Sequence, residues 1–245
     1  MTIFDVGHYT DEQRAEMMAS WPPHEREARG KGIPQLGSGR IYPVSDELIT
    51  IEPFQIPDWM VRIVGIDFGI DHPFAAIQLV EDRDENIVYA THEYKITGEL
   101  PPMHAATIKR WGLDLAVSWP GDGLNRDKAS GTQLRDHYQA AGLNMLIDRA
   151  QWPDGSVGVE AGLLEIYEAM KTGGLKIFST LSNLMEEIRL YHRKDGKIVK
   201  ERDDLLDALR YAWMMRRFAQ PNRKRRQHSG SFQAQGVSSA DVWRG

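Results

Sequence analysis

The stretch VRIVGIDFGIDHP, Val61 to Pro73, combines a strand of buried character with an acidic end. Residues 61–66 are mostly β-branched and apolar, which is typical of a central strand. Asp67 stands where this strand ends, and Gly69 allows the backbone to turn away afterwards. A carboxylate within a buried strand needs a partner or a cation, whereas at the strand end it can project into a cleft. An isolated aspartate here is explained equally well as the cap of a turn.

Two more strands follow at short distances along the chain. They are FAAIQLV, at residues 74–80, and IVYATHEYKI, at residues 87–96, and the polar turn EDRDEN joins them. Short connections of this kind predict an antiparallel meander. Farther on, helical segments alternate with short apolar strands as far as a last helix at RDDLLDALRYAWMMRRF, residues 202–218. This order predicts an α/β fold in which helices flank a mixed β-sheet on both faces.

The chain divides by composition into three regions. Residues 1–58 predict a linker or N-terminal extension that contains a short helix beginning near Thr10 and then an extended segment rich in Gly, Pro and Ser. Residues 59–218 predict the folded domain. Residues 219–245 are polar and basic, and we expect them to form a disordered tail.

The bulk composition excludes several classes of protein. The chain has 245 residues, a net charge of −5 and no cysteine, so it holds neither disulfides nor thiolate metal sites. No apolar run approaches the ~20 residues of a membrane span, and we expect no membrane partner. The acidic net charge argues against a generally basic nucleic-acid binder. Any contact with nucleic acid must therefore use a local basic surface.

Other acids also stand at the ends of predicted elements. Asp122, in SWPGDG, follows an apolar strand, although ordinary turn chemistry competes as its explanation. Asp203, Asp204 and Asp207 open the last helix, where acids also complement the helix dipole. Asp204 and Asp207 share one helix face, and Asp207 stands within an apolar run, too late for a cap. Together with Asp67, these positions predict a carboxylate cluster for a hard divalent cation.

A carboxylate cluster of this kind suits phosphodiester cleavage. Two divalent ions a few Å apart could activate a water molecule and stabilise the leaving oxygen. The Asp-Phe-Gly triplet does not indicate a protein kinase, because no His-Arg-Asp loop, Gly-rich loop or lysine precedes it. An actin-like ATPase would need a hydroxyl group or a Gly-rich phosphate turn directly after the strand, where this chain has GIDHP.

Several motifs, in their order and spacing, resemble the nuclease domain of tailed-bacteriophage terminase large subunits of the P22/Sf6-like type. They are VGIDFGIDHPFAA, WPGDG followed by DKASGTQL, AGLNM, WPDGSVGVEAG and LYHRKDGKIVKERDDLLDALRYA, after the lead-in PPHEREARGKGIPQLGSGRIYPV. The resemblance covers about residues 10 to 218. It implies an RNase H-like fold for residues 59–218. It also implies an endonuclease, dependent on Mg²⁺ or Mn²⁺, that cuts concatemeric viral double-stranded DNA during genome packaging.

The resemblance also implies roles for individual residues. The strand acid of the family falls on Asp67, its mid-domain acid on Asp122, and its C-terminal acid on Asp204 first and Asp207 second. Asp203 is interpreted as a flanking acid. All four matched acids are expected to be catalytic and to bind metal, with two ions in the active complex.

The resemblance implies partners and a location too. We expect double-stranded viral DNA, a packaging ATPase domain, a small terminase subunit and a portal protein as partners. The expected location is the host cell cytoplasm, at the procapsid. The sequence has no G-x-x-x-x-G-K-[ST] phosphate loop, so we expect it to be the isolated C-terminal nuclease part and assign it no ATP hydrolysis.

A basic hairpin is the predicted DNA-binding element. Asp195-Gly196 is a strong two-residue turn signal. The basic residues on and after this hairpin are Arg193, Lys194, Lys197, Lys200 and Arg202. Strand alternation predicts that Arg193 and Lys197 act apart from Lys194 and Lys200. The basic tail at residues 223–226 is the next candidate.

Two other functions fit the same acids. A RuvC-like resolvase or a transposase-type nuclease shares the acidic core, but the lead-in segment and the hairpin favour a terminase. A non-catalytic module for DNA clamping or portal docking would use the acids structurally. His72 and His104 are possible ligands in principle, and we interpret His72 as a turn or cap residue.

Overall fold

The computed structural model describes residues 9–20, 39–69, 72–126, 131–194 and 196–222. Its strands are β1 (Thr50–Ile51), β2 (Val61–Asp67), β3 (Phe74–Asp82), β4 (Ile87–Ile96), β5 (Ala116–Ser118), β6 (Asn144–Met145), β7 (Leu175–Phe178), β8 (Arg193–Lys194), β9 (Lys197–Ile198) and β10 (Gln220–Pro221). Its α-helices are α1 (Asp11–Ser20), α2 (Asp46–Ile49), α3 (Pro101–Ile108), α4 (Leu134–Ala140), α5 (Val159–Thr172), α6 (Ser182–Leu190) and α7 (Asp204–Met214). Short 3₁₀ segments occupy Gly121–Leu124 and Arg216–Phe218.

In the described part of the chain, one mixed sheet runs in the order β1-β7-β4-β3-β2-β5-β6, with β10 beside β2. The predicted meander is confirmed, because β3 is antiparallel to both β2 and β4. The later strands add in parallel, with β5 beside β2 and β7 beside β4. The register places Asp67 opposite Ala75, and Ala75 opposite Lys95. These three side chains therefore share one row and one face of the sheet.

Strand alternation divides the core between the two faces of the sheet. On one face, Ile63 of β2 belongs to a hydrophobic cluster with residues of α5, α6 and α7. On the other face, Val64 and Ile66 pack with residues of α3 and with Tyr138 of α4. The predicted sheet with helices on both faces is thus confirmed.

Gly65 explains how α7 lies directly on β2. A Cβ atom at this position would stand 2.0 Å from the carbonyl oxygen of Ala208 and 2.7 Å from the backbone nitrogen of Ala212. Beside this contact, Ser118 Oγ of β5 donates a hydrogen bond of 2.8 Å to the Tyr211 carbonyl. The close approach sets the first turn of α7 at the end of β2, where Asp67 stands.

The folded unit extends past both predicted limits. Tyr42 and Ile49, within the predicted linker, are fully buried, and β1 pairs with β7. Beyond residue 218, β10 pairs with β2. These segments join the domain because their apolar side chains and strand edges have partners on the sheet. The predicted tail from residue 223, with its basic block, lies outside the described residues.

None of the helices that the structure describes is long and apolar enough to cross a membrane.

Candidate active site

A cleft of about 690 Å³ opens at the end of β2. Its lining combines acidic and basic side chains: Asp67, Lys95, Glu186, Glu187, Lys200, Arg202, Asp203, Asp204 and Asp207, with His72 at one side. Acidic side chains, which can hold a cation, and basic side chains, which can contact phosphate, thus line the same cleft.

Asp67, His72 and Asp204 form one compact group in this cleft, the central group. Each offers one ligand atom, and these atoms all lie within 4.8 Å of one another. His72 Nδ1 is 3.0 Å from Asp204 Oδ1. Two nearly buried carboxylates and one imidazole are a donor set that fits a divalent cation such as Mn²⁺. His72 lies in a bend, which agrees with its interpretation as a turn residue, and its imidazole also belongs to this group.

The surroundings of Asp67 disfavour the ionised form of its carboxyl group. Burial, and then the carboxylate of Asp207, raises the pKa of Asp67 from 3.8 to about 7. His72 lowers this pKa, whereas Asp204 and Asp122 add to the increase. Like charges and desolvation both disfavour the ionised form, and a bound cation would relieve both.

Asp204 is held from its other side by Lys95. Lys95 Nζ lies 2.8 Å from Asp204 Oδ2 and 2.7 Å from Glu187 Oε1. Burial disfavours the ammonium, but its hydrogen bonds to Asp204 and Glu187 outweigh burial and raise the pKa of Lys95. The lysine is therefore charged, and it fixes the orientation of the Asp204 carboxylate.

Glu187 joins α6 to the start of α7. Its Oε2 accepts hydrogen bonds from the backbone N–H groups of Leu205, at 2.9 Å, and Leu206, at 3.1 Å. These N–H groups have no partner within the helix, so the glutamate caps α7 from outside. Neither Lys95 nor Glu187 was predicted from the sequence. The only local feature of the sequence that marks Glu187 is the acidic pair Glu186-Glu187 on an amphipathic helix.

Asp207 and Asp203 line the cleft without belonging to the central group. Asp207 Oδ1 accepts a hydrogen bond of 2.6 Å from Nη2 of Arg210, whose side chain is buried. One oxygen of Asp207 is thus committed to a cation of the protein. Burial, and then Asp207, raises the pKa of Asp203.

Asp122 stands at the border of the site. It lies in the 3₁₀ segment after β5 and is exposed. The ends of β5 and β2 are neighbours because these strands are parallel, and the charge of Asp122 contributes to the raised pKa of Asp67. Asp122 is not among the described residues that line the cleft.

The basic hairpin forms, but its predicted grouping is wrong. Lys194 pairs with Lys197, and Arg193 pairs with Ile198. Directly opposed residues project to the same face, so Lys194 and Lys197 share one face of the hairpin. Arg193 donates hydrogen bonds to both carboxylate oxygens of Glu160, which compensates its charge.

Lys200 and Arg202 continue the basic surface into the cleft, and both are exposed. Arg202 adopts a left-handed backbone with φ of 55° and lies 3.2 Å from Glu186. The five predicted DNA-binding residues therefore divide into an exposed hairpin pair, two residues at the cleft and the compensated Arg193.

A family model described as the terminase RNaseH-like domain matches residues 64–216. The chain belongs to this terminase family. It is 46% identical over 220 residues to the terminase large subunit of Salmonella phage P22, a match that covers 89% of this chain and 44% of the relative. The chain thus spans less than half the length of this relative.

The solved structures agree with a terminase fold. The nuclease domain of the P22 large terminase matches with a TM-score of 0.70 at 43% identity, over 76% of this chain and 96% of that one. The large terminase nuclease domain of bacteriophage SPP1 with bound Mn has a TM-score of 0.50 at 16% identity, over 68% and 95%, and shows the shared fold alone. The RNase H-like fold and the resemblance to terminase nuclease domains are therefore confirmed.

Proposed function

We propose that this terminase domain is a metal-dependent endonuclease that cuts concatemeric viral double-stranded DNA during genome packaging. The observation that carries the proposal is the convergence of Asp67, His72 and Asp204 at the end of the central strand. The identity of 43% with the P22 large terminase nuclease domain supports the same reaction class.

Asp67, His72 and Asp204 are the proposed holders of a divalent ion, Mg²⁺ or Mn²⁺. The imidazole of His72 favours Mn²⁺, since Mg²⁺ prefers oxygen ligands and retains water. The Mn bound to the SPP1 nuclease domain supports this choice. When bound, the ion would lower the pKa of a water molecule and stabilise the leaving oxygen of the cleaved phosphodiester. Asp122, on the neighbouring strand end, is the candidate ligand for a second ion.

The chain's own residues orient the reacting groups. The contact of α7 with Gly65 fixes Asp204 relative to Asp67, and Lys95, itself held by Glu187, orients the carboxylate of Asp204. Asp207, committed to Arg210, contributes negative charge that favours a cation in the cleft. Such fixed positions support the proposed catalytic role, because small displacements of reacting groups reduce rates strongly.

The basic rim is the proposed surface for the DNA backbone. Lys200 and Arg202 lie at the cleft, and Lys194 and Lys197 extend the rim along the hairpin. Phosphate contacts of this kind position a duplex without reading its sequence. The packaging ATPase domain, the small terminase subunit and the portal protein are the further proposed partners, at the procapsid in the host cytoplasm.

Plasmid cutting tests the proposal. Supercoiled plasmid is incubated with the purified protein and Mn²⁺, Mg²⁺ or EDTA, and nicked and linear products are measured on gels. We expect cutting with Mn²⁺, weaker cutting with Mg²⁺ and none with EDTA. Intact plasmid under every metal condition, or cutting that persists in EDTA, would contradict a metal-dependent endonuclease.

A further inference from the structure

Lys95 occupies an unusual position for a lysine. It lies in the same row of the sheet as Asp67, and the small Ala75 stands between them on β3. Because alanine leaves space on this face, both longer side chains reach the cleft. The Lys95 side chain is only 20% exposed, and its partners Glu187 and Asp204 are 4% and 11% exposed. The ion pairs therefore form largely away from water.

The two carboxylates converge on the lysine from different helices. Glu187 Oε1 on α6 and Asp204 Oδ2 on α7 lie 2.7 Å and 2.8 Å from the same Nζ atom. Neither carboxylate turns away freely, since Glu187 Oε2 accepts two backbone N–H groups and Asp204 Oδ1 faces His72 at 3.0 Å. Two fixed carboxylate oxygens that meet at one point are also the donor arrangement of a divalent-cation site.

Resting on the proposed function, we propose that Lys95 is an internal cation of the metal centre. Its ammonium occupies the point where Glu187 and Asp204 converge and excludes a metal ion from this carboxylate pair. Asp204 Oδ1 alone then faces Asp67 and His72. Lys95 is thus a positioning residue that makes Asp204 a ligand through one oxygen.

This role makes an unusual prediction, which is a gain of metal binding when a positive charge is removed. Without the ammonium, two buried carboxylates would repel each other and attract any available cation. A lysine that only stabilised the fold would give no gain when replaced. A lysine that acted only through long-range repulsion would give a gain that does not depend on Glu187.

Calorimetry and electron paramagnetic resonance of Mn²⁺ binding, without DNA, provide the test. The proteins are the full chain, Lys95→Met, Lys95→Gln, Lys95→Arg, Glu187→Gln and the double variant Lys95→Met/Glu187→Gln. Both neutral variants should bind one more Mn²⁺ ion per chain or bind Mn²⁺ roughly tenfold more tightly. Lys95→Arg should behave as the unaltered chain does. In the double variant the gain should disappear, because the vacated site has lost one carboxylate.

Several outcomes would overturn the inference. Unchanged Mn²⁺ binding in both neutral variants, with circular dichroism showing them folded, would contradict the role of Lys95 as an internal cation. A gain that persists in the double variant would exclude the carboxylate pair as the site. If Mn²⁺ binds as expected but no variant cuts plasmid, only the proposed nuclease function fails. If Mn²⁺ binds to no variant, both proposals fail.

Discussion

The acidic centre, formed by Asp67 and Asp204, and the basic rim are built in opposite ways. Asp67 and Asp204 are nearly buried and are fixed by β2, β4, α6 and α7. Lys194 and Lys197 are exposed on a short hairpin and form no ion pair with the other described residues. The difference fits the proposed task of each region. Metal chemistry needs donors that are fixed and shielded from water, whereas phosphate contacts along DNA tolerate mobile, solvated charges.

The largest expected effect concerns the acidic centre. Asp67→Asn should lower Mn²⁺-dependent plasmid cutting by roughly a thousandfold or more, since the amide removes a negative ligand from the reacting position. The fold should stay intact, because the substitution conserves shape. Cleavage rates by gel assay, with circular dichroism spectra, would check this.

Asp84→Asn is the matched control for that variant. It makes the same chemical change at an exposed turn. It should cut at the rate of the unaltered chain. Equal rates for Asp67→Asn and Asp84→Asn would contradict the central role of Asp67.

The pH dependence of stability in EDTA tests the burial of the acidic centre. The folded-state pKa of Asp67 is raised from 3.8 to about 7. The protonated form is therefore favoured in the folded state, and stability is lost as the pH rises from about 4 through about 7. Asp67→Asn avoids this loss. It should be more stable than the unaltered chain above pH 7, by up to about 4 kcal/mol, with no difference near pH 4.

Chemical denaturation of both proteins across this pH range would measure the difference. A stability difference that is constant with pH would show that Asp67 titrates normally. Substitutions in the basic rim should give no such effect, because its lysines are exposed.

Gly65→Ala tests the packing that joins α7 to β2. The added methyl group would meet backbone atoms at 2.0 Å, which cannot move aside as a flexible side chain would. We expect a loss of about 3 kcal/mol in the free energy of unfolding, together with weaker Mn²⁺ binding as Asp204 moves from Asp67. Thermal unfolding and calorimetry would measure both quantities.

Gly158→Ala is the control for this variant, since an added Cβ there meets nothing within 4 Å. It should unfold close to the unaltered chain. A Gly65→Ala protein as stable as Gly158→Ala would show that α7 is not held against β2 in this way.

The smallest expected effects lie on the basic rim. Lys194→Ala and Lys197→Ala should each weaken DNA binding and lower the salt slope of binding by roughly 0.9 per lost phosphate contact. Arg193→Ala should change the slope less, because Glu160 already compensates its charge. A salt titration of DNA affinity would compare the three variants. A larger loss for Arg193→Ala than for either lysine variant would reverse this division of the hairpin.

Mn²⁺ affinity should remain unchanged in all three hairpin variants, because the hairpin supplies no donor to the central group. A loss of Mn²⁺ binding in any of these variants would show that the acidic centre depends on the hairpin.

The sequence predicted the parts of the site that depend on local pattern. Asp67 follows a buried strand and Asp204 opens an apolar helix, so each could be located without the fold. Lys95 and Glu187 could not, because they are far apart in sequence and meet only through the register of β4 and the packing of α6. The contact of His72 with Asp204 was not predicted, because local sequence describes the turn after β2 and does not show that α7 lies beside it.

Two other predictions differ from the structure because local sequence does not show which parts of the chain pack together. The predicted grouping of the hairpin residues was wrong because it used only the alternation of side chains along the sequence. The turn between the two strands sets the pairing of Lys194 with Lys197. Residues 39–58 were assigned to a linker because Gly and Pro outweighed the apolar residues among them. Tyr42 and Ile49 belong to the core, since α2 packs on β7 and α5, and Tyr42 lies against Tyr191.

Anomalous diffraction from crystals soaked in Mn²⁺ tests the central claim most directly. The account predicts a manganese peak at ligand distance from Asp67, from Asp204 and from Nδ1 or Nε2 of His72, with Lys95 still between Asp204 and Glu187. A peak that lacks Asp67 or Asp204 as a ligand, or no peak in this cleft at saturating Mn²⁺, would contradict it.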